Sequence, residues 1–176
     1  MKAWQIILSG VGGQGLMLSG NLLGSAATVY EGKKAAMTSA FGVETRGTFA
    51  KSDVIVSDSE IDFPEVLKAD VVIALDMIAY KKYADSLGEG SLLIYDESFE
   101  HIDCKAKQSA FPIFKIAKDK GNPAAANIAA LGILVKLTGL VSEEAVRSAI
   151  RDEFGTRERL VDLNLAVFEA ALEAVK

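Results

Sequence analysis

The stretch Ile6-Ile7-Leu8-Ser9-Gly10-Val11-Gly12-Gly13-Gln14-Gly15-Leu16-Met17 decides how the rest of the chain is read. An apolar run breaks into four glycines within six positions and then resumes at helical spacing. That order predicts a strand, a tight turn and a helix N-terminus. The spacing Gly10-x-Gly12-x-x-Gly15 fits the dinucleotide fingerprint, in which the first glycine permits the turn, the second lets backbone approach a phosphate and the third lets helix and strand pack closely. Unpaired N–H groups at the helix start favour an anion. A tight strand-to-helix turn holding no ligand is the other reading of the same residues, because glycine serves wherever backbone must bend sharply.

Working outward, Leu16, Leu23, Ala27 and Tyr30 mark one face of the first helix, and Gly20 and Gly24 leave room for a close neighbour. Gly32 closes it, and residues 33–39 read as a second strand. A dinucleotide site wants an acidic residue at the tip of that strand for the ribose hydroxyls. Ser39 stands there instead, and Glu31 comes before the strand. Residues 40–48 form a loop with two glycines and the pair Glu44 and Arg46; Arg46 beside Gly47 could offer a planar guanidinium to a carboxylate or phosphate, or lie in a solvated surface pair. Residues 49–57 alternate like a partly exposed strand, and a two-stranded antiparallel insertion around 48–61 is compatible with the pattern.

Val71-Val72-Ile73-Ala74-Leu75 is a continuous apolar run, as expected of a central parallel strand covered on both faces. Residues 78–87 read as a helix, 91–95 as a strand and 111–116 as a last short strand. Asp76 and Asp96 end two strands, where ligands gather in open α/β sheets, but capping of turns and helices is the favoured reading. His101 and Cys104 have no base, orienter or second thiol nearby in sequence, and both read as structurally incidental. Three helices should follow: one from Asn122 and Pro123 to Gly139, one capped by Ser142 and stopped by Gly155, and one from about Arg157. Leu160, Leu163, Val167, Ala171 and Val175 mark the inner face of the third.

Composition narrows the function classes. Of 176 residues, half are apolar and 24% charged, which fits one globular core of ordinary makeup. A net charge of −5, with scattered lysines and arginines, gives no footprint for nucleic acid or an anionic membrane. The apolar runs are too interrupted to span a bilayer, so the expected location is cytoplasmic. One cysteine and one histidine provide neither a disulfide framework nor a ligand set for zinc or an iron–sulfur cluster. The expected fold is a single α/β domain over 1–176, Rossmann-like, with a mostly parallel sheet and flanking helices in 1–120 and C-terminal helices in 121–176.

Gly10-Val-Gly-Gly-Gln-Gly15 after the first strand, with Phe41-Gly-Val-Glu-Thr-Arg-Gly47 after the second, resembles the gamma subunit or domain of 2-oxoacid:ferredoxin oxidoreductases, which act on pyruvate, 2-ketoglutarate or 2-ketoisovalerate. The similarity extends through Lys68-Ala-Asp-Val-Val-Ile-Ala-Leu75, residues 90–95 and residues 122–139, covering essentially the chain. Thr48 and Phe41 stand where family members often carry a glycine and a tyrosine. The resemblance implies a non-catalytic subunit of a complex that oxidatively decarboxylates a 2-oxoacid with coenzyme A, giving acyl-CoA, carbon dioxide and reduced ferredoxin. Thiamine diphosphate, magnesium and iron–sulfur clusters are then held by partner alpha, beta and delta (ferredoxin-like) subunits. Gly10, Gly12, Gly13, Gln14, Gly15, Arg46 and Gly47 become candidates for coenzyme A phosphate binding or for subunit contact. Two other readings stand beside this one: a free-standing nucleotide-binding protein, and the equivalent subunit of an indolepyruvate enzyme.

Overall fold

A computed structural model describes residues 3–42 and 47–176. Glu44 and Arg46 lie outside the described residues. The chain runs through β1 (Trp4–Val11), α1 (Leu16–Ser25), β2 (Lys34–Phe41), β3 (Phe49–Ser57), β4 (Val71–Ala74), α2 (Met77–Ser86), β5 (Leu92–Asp96), β6 (Lys107–Phe111), α3 (Ile113–Asp119), α4 (Ala126–Thr138), α5 (Glu143–Phe154) and α6 (Glu158–Ala174). Among the described residues the sheet has six strands in the order β2-β3-β1-β4-β5-β6.

Two ladders with different rules meet on β1. Toward β4, β5 and β6 the pairing is parallel, from Ile6↔Val71 to Asp96↔Phe111. Parallel strands must be covered on both faces, which is why β4 reads Val-Val-Ile-Ala and is buried throughout. Alternate residues divide between two cores. Ile6, Leu8, Ile73 and Ile94 face α1 and α3 to α6, whereas Ile7, Val72, Leu93 and Tyr95 face α2. Each fully buried aliphatic side chain of this kind contributes about 1.5–3 kcal/mol.

On the other side β1 pairs antiparallel with β3, and β3 antiparallel with β2. An antiparallel ladder does form here. Its second strand, however, lies between β2 and β1 as a central element, rather than as an insertion around 48–61. β3 is accordingly buried from Ser52 to Ser57, in contrast to the partly exposed strand expected. Its polar residues mislead at the level of pattern: Ser52 is buried with its hydroxyl against that of Ser39 at 3.1 Å, and Asp53 is paired with Lys51.

The expected last strand at 111–116 is also corrected. β6 is the polar run Lys107–Phe111, and Ile113–Asp119 is the helix α3, with Ile113, Ile116 and Ala117 buried at helical spacing. The apolar residues after Pro112 fit either period over so short a run. In the third C-terminal helix the inner face holds Val167 and Ala171 as expected, with Asn164, Phe168 and Leu172 in place of Leu160 and Leu163. α4 crosses it so closely that a Cβ on Gly132 would lie 2.8 Å from the Ala171 Cβ and 3.0 Å from the Phe168 carbonyl oxygen.

Candidate functional site

The glycine turn sits at the carboxyl end of β1, where the loop after β2 also arrives. Gly13 and Gly15 have φ of 96° and 72°, a left-handed backbone that only glycine adopts cheaply. The turn closes with the Gln14 N–H donating to the Val11 carbonyl oxygen at 3.3 Å. The Gln14 side chain then folds back. Its Oε1 accepts from the Val11 N–H at 2.9 Å, and its Nε2 donates to the Leu75 carbonyl oxygen at 2.7 Å. Gln14 thereby braces the end of β1 to the segment following β4. A Cβ on Gly10 would lie 2.1 Å from that Oε1, so the first glycine of the motif is required by the brace itself.

Gly15 is held from the helical layer. The Asn127 Nδ2 donates to the Gly15 carbonyl oxygen at 3.0 Å, and the Ser19 hydroxyl donates back to the Asn127 carbonyl oxygen at 3.2 Å. A Cβ on Gly15 would lie 2.5 Å from that Nδ2. Sequence reasoning missed Asn127, though a signal was present: it is the one amide in an otherwise apolar run at the start of α4. Gly20 does what its position suggested, since a Cβ there would meet the Met37 sulfur at 2.6 Å and Val54 Cγ2 at 3.3 Å.

Gly10, Gly12, Gly13, Gln14 and Gly15 are thus one structural unit, and Gly47 and Thr48 join it. The Gly12 N–H donates to the Thr48 carbonyl oxygen at 3.1 Å, which brings Gly47, with φ 74°, to the same end of the sheet. Beside the turn lies a cavity of about 150 Å³, walled by Leu16, Met17, Phe41 and Ala50 with the turn backbone. Met17 and Phe41 are 44% and 59% exposed at its rim. The site therefore combines two chemistries. The first N–H groups of α1 have no acceptor within the helix and its N-cap, Gly15, has no side chain to offer, which suits an anion. The wall beside them is apolar.

The two strand-ending aspartates act as caps, as expected. Asp76 Oδ1 accepts from the Ile78 N–H at 2.9 Å at the start of α2. Asp96 accepts from the Ser98 N–H at 2.9 Å and, through its other oxygen, from the Phe114 N–H at 2.8 Å in the first turn of α3. His101 lies between the Tyr95 hydroxyl and Asp103, each at 3.2 Å, and Cys104 reaches only the Ala106 carbonyl oxygen at 3.6 Å. Burial pushes the Tyr80 hydroxyl up to about 12, so it remains a donor, to Gln108 Oε1 at 2.6 Å. Among the described residues no cluster of three or more His, Cys, Asp or Glu is placed to hold a metal ion. With one cysteine in the sequence, the chain's own residues do not fit an iron–sulfur cluster. No helix among the described residues is long and apolar enough to cross a membrane.

A sheet with this strand order, organised on a glycine turn whose glutamine is turned inward, defines an α/β fold distinct from a dinucleotide-binding unit. In the latter, β2 would lie next to β1 and carry the ribose-binding acid. Comparison with known proteins agrees. Residues 5–174 match the pyruvate ferredoxin/flavodoxin oxidoreductase family. The chain is 40% identical to the 2-oxoglutarate synthase subunit KorC of Methanocaldococcus jannaschii, over 98% of this chain and 94% of that one. It is also similar to the crystal structure of a keto/oxoacid ferredoxin oxidoreductase gamma subunit from Geobacter sulfurreducens, with a TM-score of 0.84 and 37% identity over 97% of each chain. The 2-oxoglutarate:ferredoxin oxidoreductase of Magnetococcus marinus shares the fold, with a TM-score of 0.90 at 24% identity, but this chain spans only 31% of that one. The chain belongs to the pyruvate ferredoxin/flavodoxin oxidoreductase family, as a gamma-type subunit.

Proposed function

We propose that the chain serves as the non-catalytic gamma subunit of a cytoplasmic complex that oxidises 2-oxoglutarate with coenzyme A and passes the electrons to ferredoxin. The observation that carries this reading is full-length similarity at 40% identity to a 2-oxoglutarate synthase subunit. In this reading thiamine diphosphate, magnesium and the iron–sulfur clusters belong to partner alpha, beta and delta subunits, and this chain contributes the glycine turn and its apolar wall. The test is reconstitution from purified subunits, followed by ferredoxin reduction with 2-oxoglutarate, pyruvate, 2-oxoisovalerate and indolepyruvate in turn. Omitting this chain should cost at least about tenfold in rate with 2-oxoglutarate, a loss of about 1.4 kcal/mol in transition-state stabilisation. Full activity without it, or preference for another oxoacid, overturns the corresponding part of the reading.

The glycine-turn end of the sheet is the working surface in this reading. The start of α1 suits a coenzyme A phosphate, and the wall of Leu16, Met17 and Phe41 suits an apolar group of coenzyme A or of a partner chain. Substituting Arg46→Ala in the complex separates the two roles. A raised KM for coenzyme A with assembly intact assigns Arg46 to coenzyme A; impaired assembly assigns it to subunit contact. Unchanged assembly and KM remove Arg46 from both.

A further inference from the structure

β2 is an edge of the sheet. Its ladder with β3 runs in unbroken register from Lys34↔Ser57 to Phe41↔Ala50, and the Gly42 N–H donates to the Phe49 carbonyl oxygen at 3.1 Å. Hydrogen-bonded pairs alternate along an antiparallel ladder, so the even-numbered residues of β2 bond to β3, and Ala35, Met37, Ser39 and Phe41 aim their N–H and C=O groups outward. Among the described residues none of these outward groups has a hydrogen-bond partner. Natural sheet edges are guarded by proline, a bulge or charge. From Ala35 to Phe41, β2 carries none of the three.

This edge is complementary to itself. Ala35 and Met37 face α1 against Gly24 and Gly20, and Phe41 faces the same way beside Leu16 and Met17. At the Ala35 end a groove of about 230 Å³ opens, lined by Gly20, Asn21, Gly24, Thr28, Ala35 and Met37. At the other end the Phe41 ring stands 59% exposed. An antiparallel copy of β2, related by a two-fold axis through Thr38, sets Ala35 against Phe41 and Met37 against Ser39 of the second copy, so every outward N–H and C=O finds a partner. On the opposite face Thr38 meets its own counterpart and Ala36 meets Ala40. Lys34, the one charged residue of β2, falls beside Gly42 of the second copy and already pairs with Glu60 at 3.3 Å, so like charges are kept apart. α1 packs mainly on β3, and three strand spacings hold the two β3 strands about 14 Å apart. Packed helices need only about 8–10 Å, so the groove between the two α1 helices stays open to a side chain.

We infer that the β2 edge is the seat of a second copy of this chain, the two sheets joining antiparallel at Thr38 with the Phe41 ring of each copy over the Ala35 groove of the other. Main-chain hydrogen bonds supply the attraction, and ring and groove set the register. A seam of eight residues is small for a protein interface, so the dissociation constant is micromolar and the single chain folds alone when dilute. The inference goes beyond the subunit reading and does not depend on it.

Sedimentation of the full chain, well above and well below micromolar concentration, reads the association, and thermal unfolding of the dilute chain reads the fold. The wild type should be a dimer when concentrated and a folded monomer when dilute. Ala35→Pro removes one outward N–H and no bond to β3, so it should weaken association at least about tenfold and leave melting of the dilute chain unchanged. Cross-linking in a Cys104→Ser background reads the register independently, and it decides the matter if Ala35→Pro melts early. Thr38→Cys should oxidise to a linked dimer, because facing Cα atoms of such a pair lie about 4.5 Å apart. Ala36→Cys, about 14 Å from its counterpart, should not. A wild type that stays monomeric when concentrated, or equal cross-linking by the two cysteines, overturns the inference and leaves the subunit reading intact. A monomer whose Ala35→Pro form loses assembly with partner subunits gives the edge to a strand of such a partner, which overturns the inference as well.

Discussion

The two halves of the sheet are finished to different degrees. From β1 to β5 the parallel half is closed, with Ile73, Leu93 and Ile94 at 0–1% exposure between two helical layers, and β6 is its half-exposed edge. The antiparallel half, β2 and β3, has α1 on one face and, on the other, the 58–70 loop with Tyr83 and Lys82 of α2 reaching Phe49 at one end, and β2 ends in exposed Ser39, Ala40 and Phe41. A parallel sheet gains nothing from being left half covered, whereas an antiparallel pair tolerates one open face. The chain thus places its tolerance for exposure where a second polypeptide can use it, and keeps the closed half as scaffold.

Substitutions can break or sharpen that contrast. The largest effect belongs to the closed half: Leu93→Ala should cost about 3 kcal/mol in chemical denaturation, through lost burial and a residual cavity. Phe41→Ala, a larger cut in the open half at a side chain 59% exposed, should change the isolated chain by less than about 0.5 kcal/mol. Equal costs for the two would erase the distinction. At the boundary strand, Gly10→Ala must displace the Gln14 amide and break its bonds to Val11 and Leu75, for a loss of about 2 kcal/mol by the same measurement. A stability equal to wild type would mean that the brace carries no load.

A further small effect concerns acid. Hydrogen bonds from the Arg147 guanidinium hold Glu169, on α6, below its usual value of 4.5; a carboxylate whose folded value is lowered contributes stability above 4.5 and loses it as pH falls through the folded value. Both side chains are partly exposed, so the contribution is below about 1 kcal/mol. Arg147→Met should flatten the decline of urea stability below pH 4.5, and an unchanged slope would place acid sensitivity in the sheet instead.

What could be read without coordinates follows from how local each signal is. The glycine turn, the β4 run, the Ser142 cap and the glycine stops at 139 and 155 are written in adjacent residues, and each falls where expected. The central place of β3 was not legible, because Lys51, Ser52 and Asp53 look like solvent-facing positions until Ser39 and the neighbouring strands are brought alongside. The α3 segment suits either period because Phe111, Ile113, Phe114 and Ile116, on both sides of Pro112, fit a strand and a helix alike. In the site, the glycines were legible as a turn. The inward direction of Gln14 and the reach of Asn127 depend on atoms 61 and 112 residues away in sequence.

The Gln14 brace has a kinetic consequence. A loop that must first adopt its bound shape slows capture, because only a fraction of encounters find it ready. Here the turn is fixed at rest from two sides, by the Leu75 carbonyl oxygen and by Asn127. Whatever meets the turn meets a surface already in its final form, so the time a partner or ligand stays, rather than the frequency with which it arrives, becomes the quantity that mutations around the turn tune.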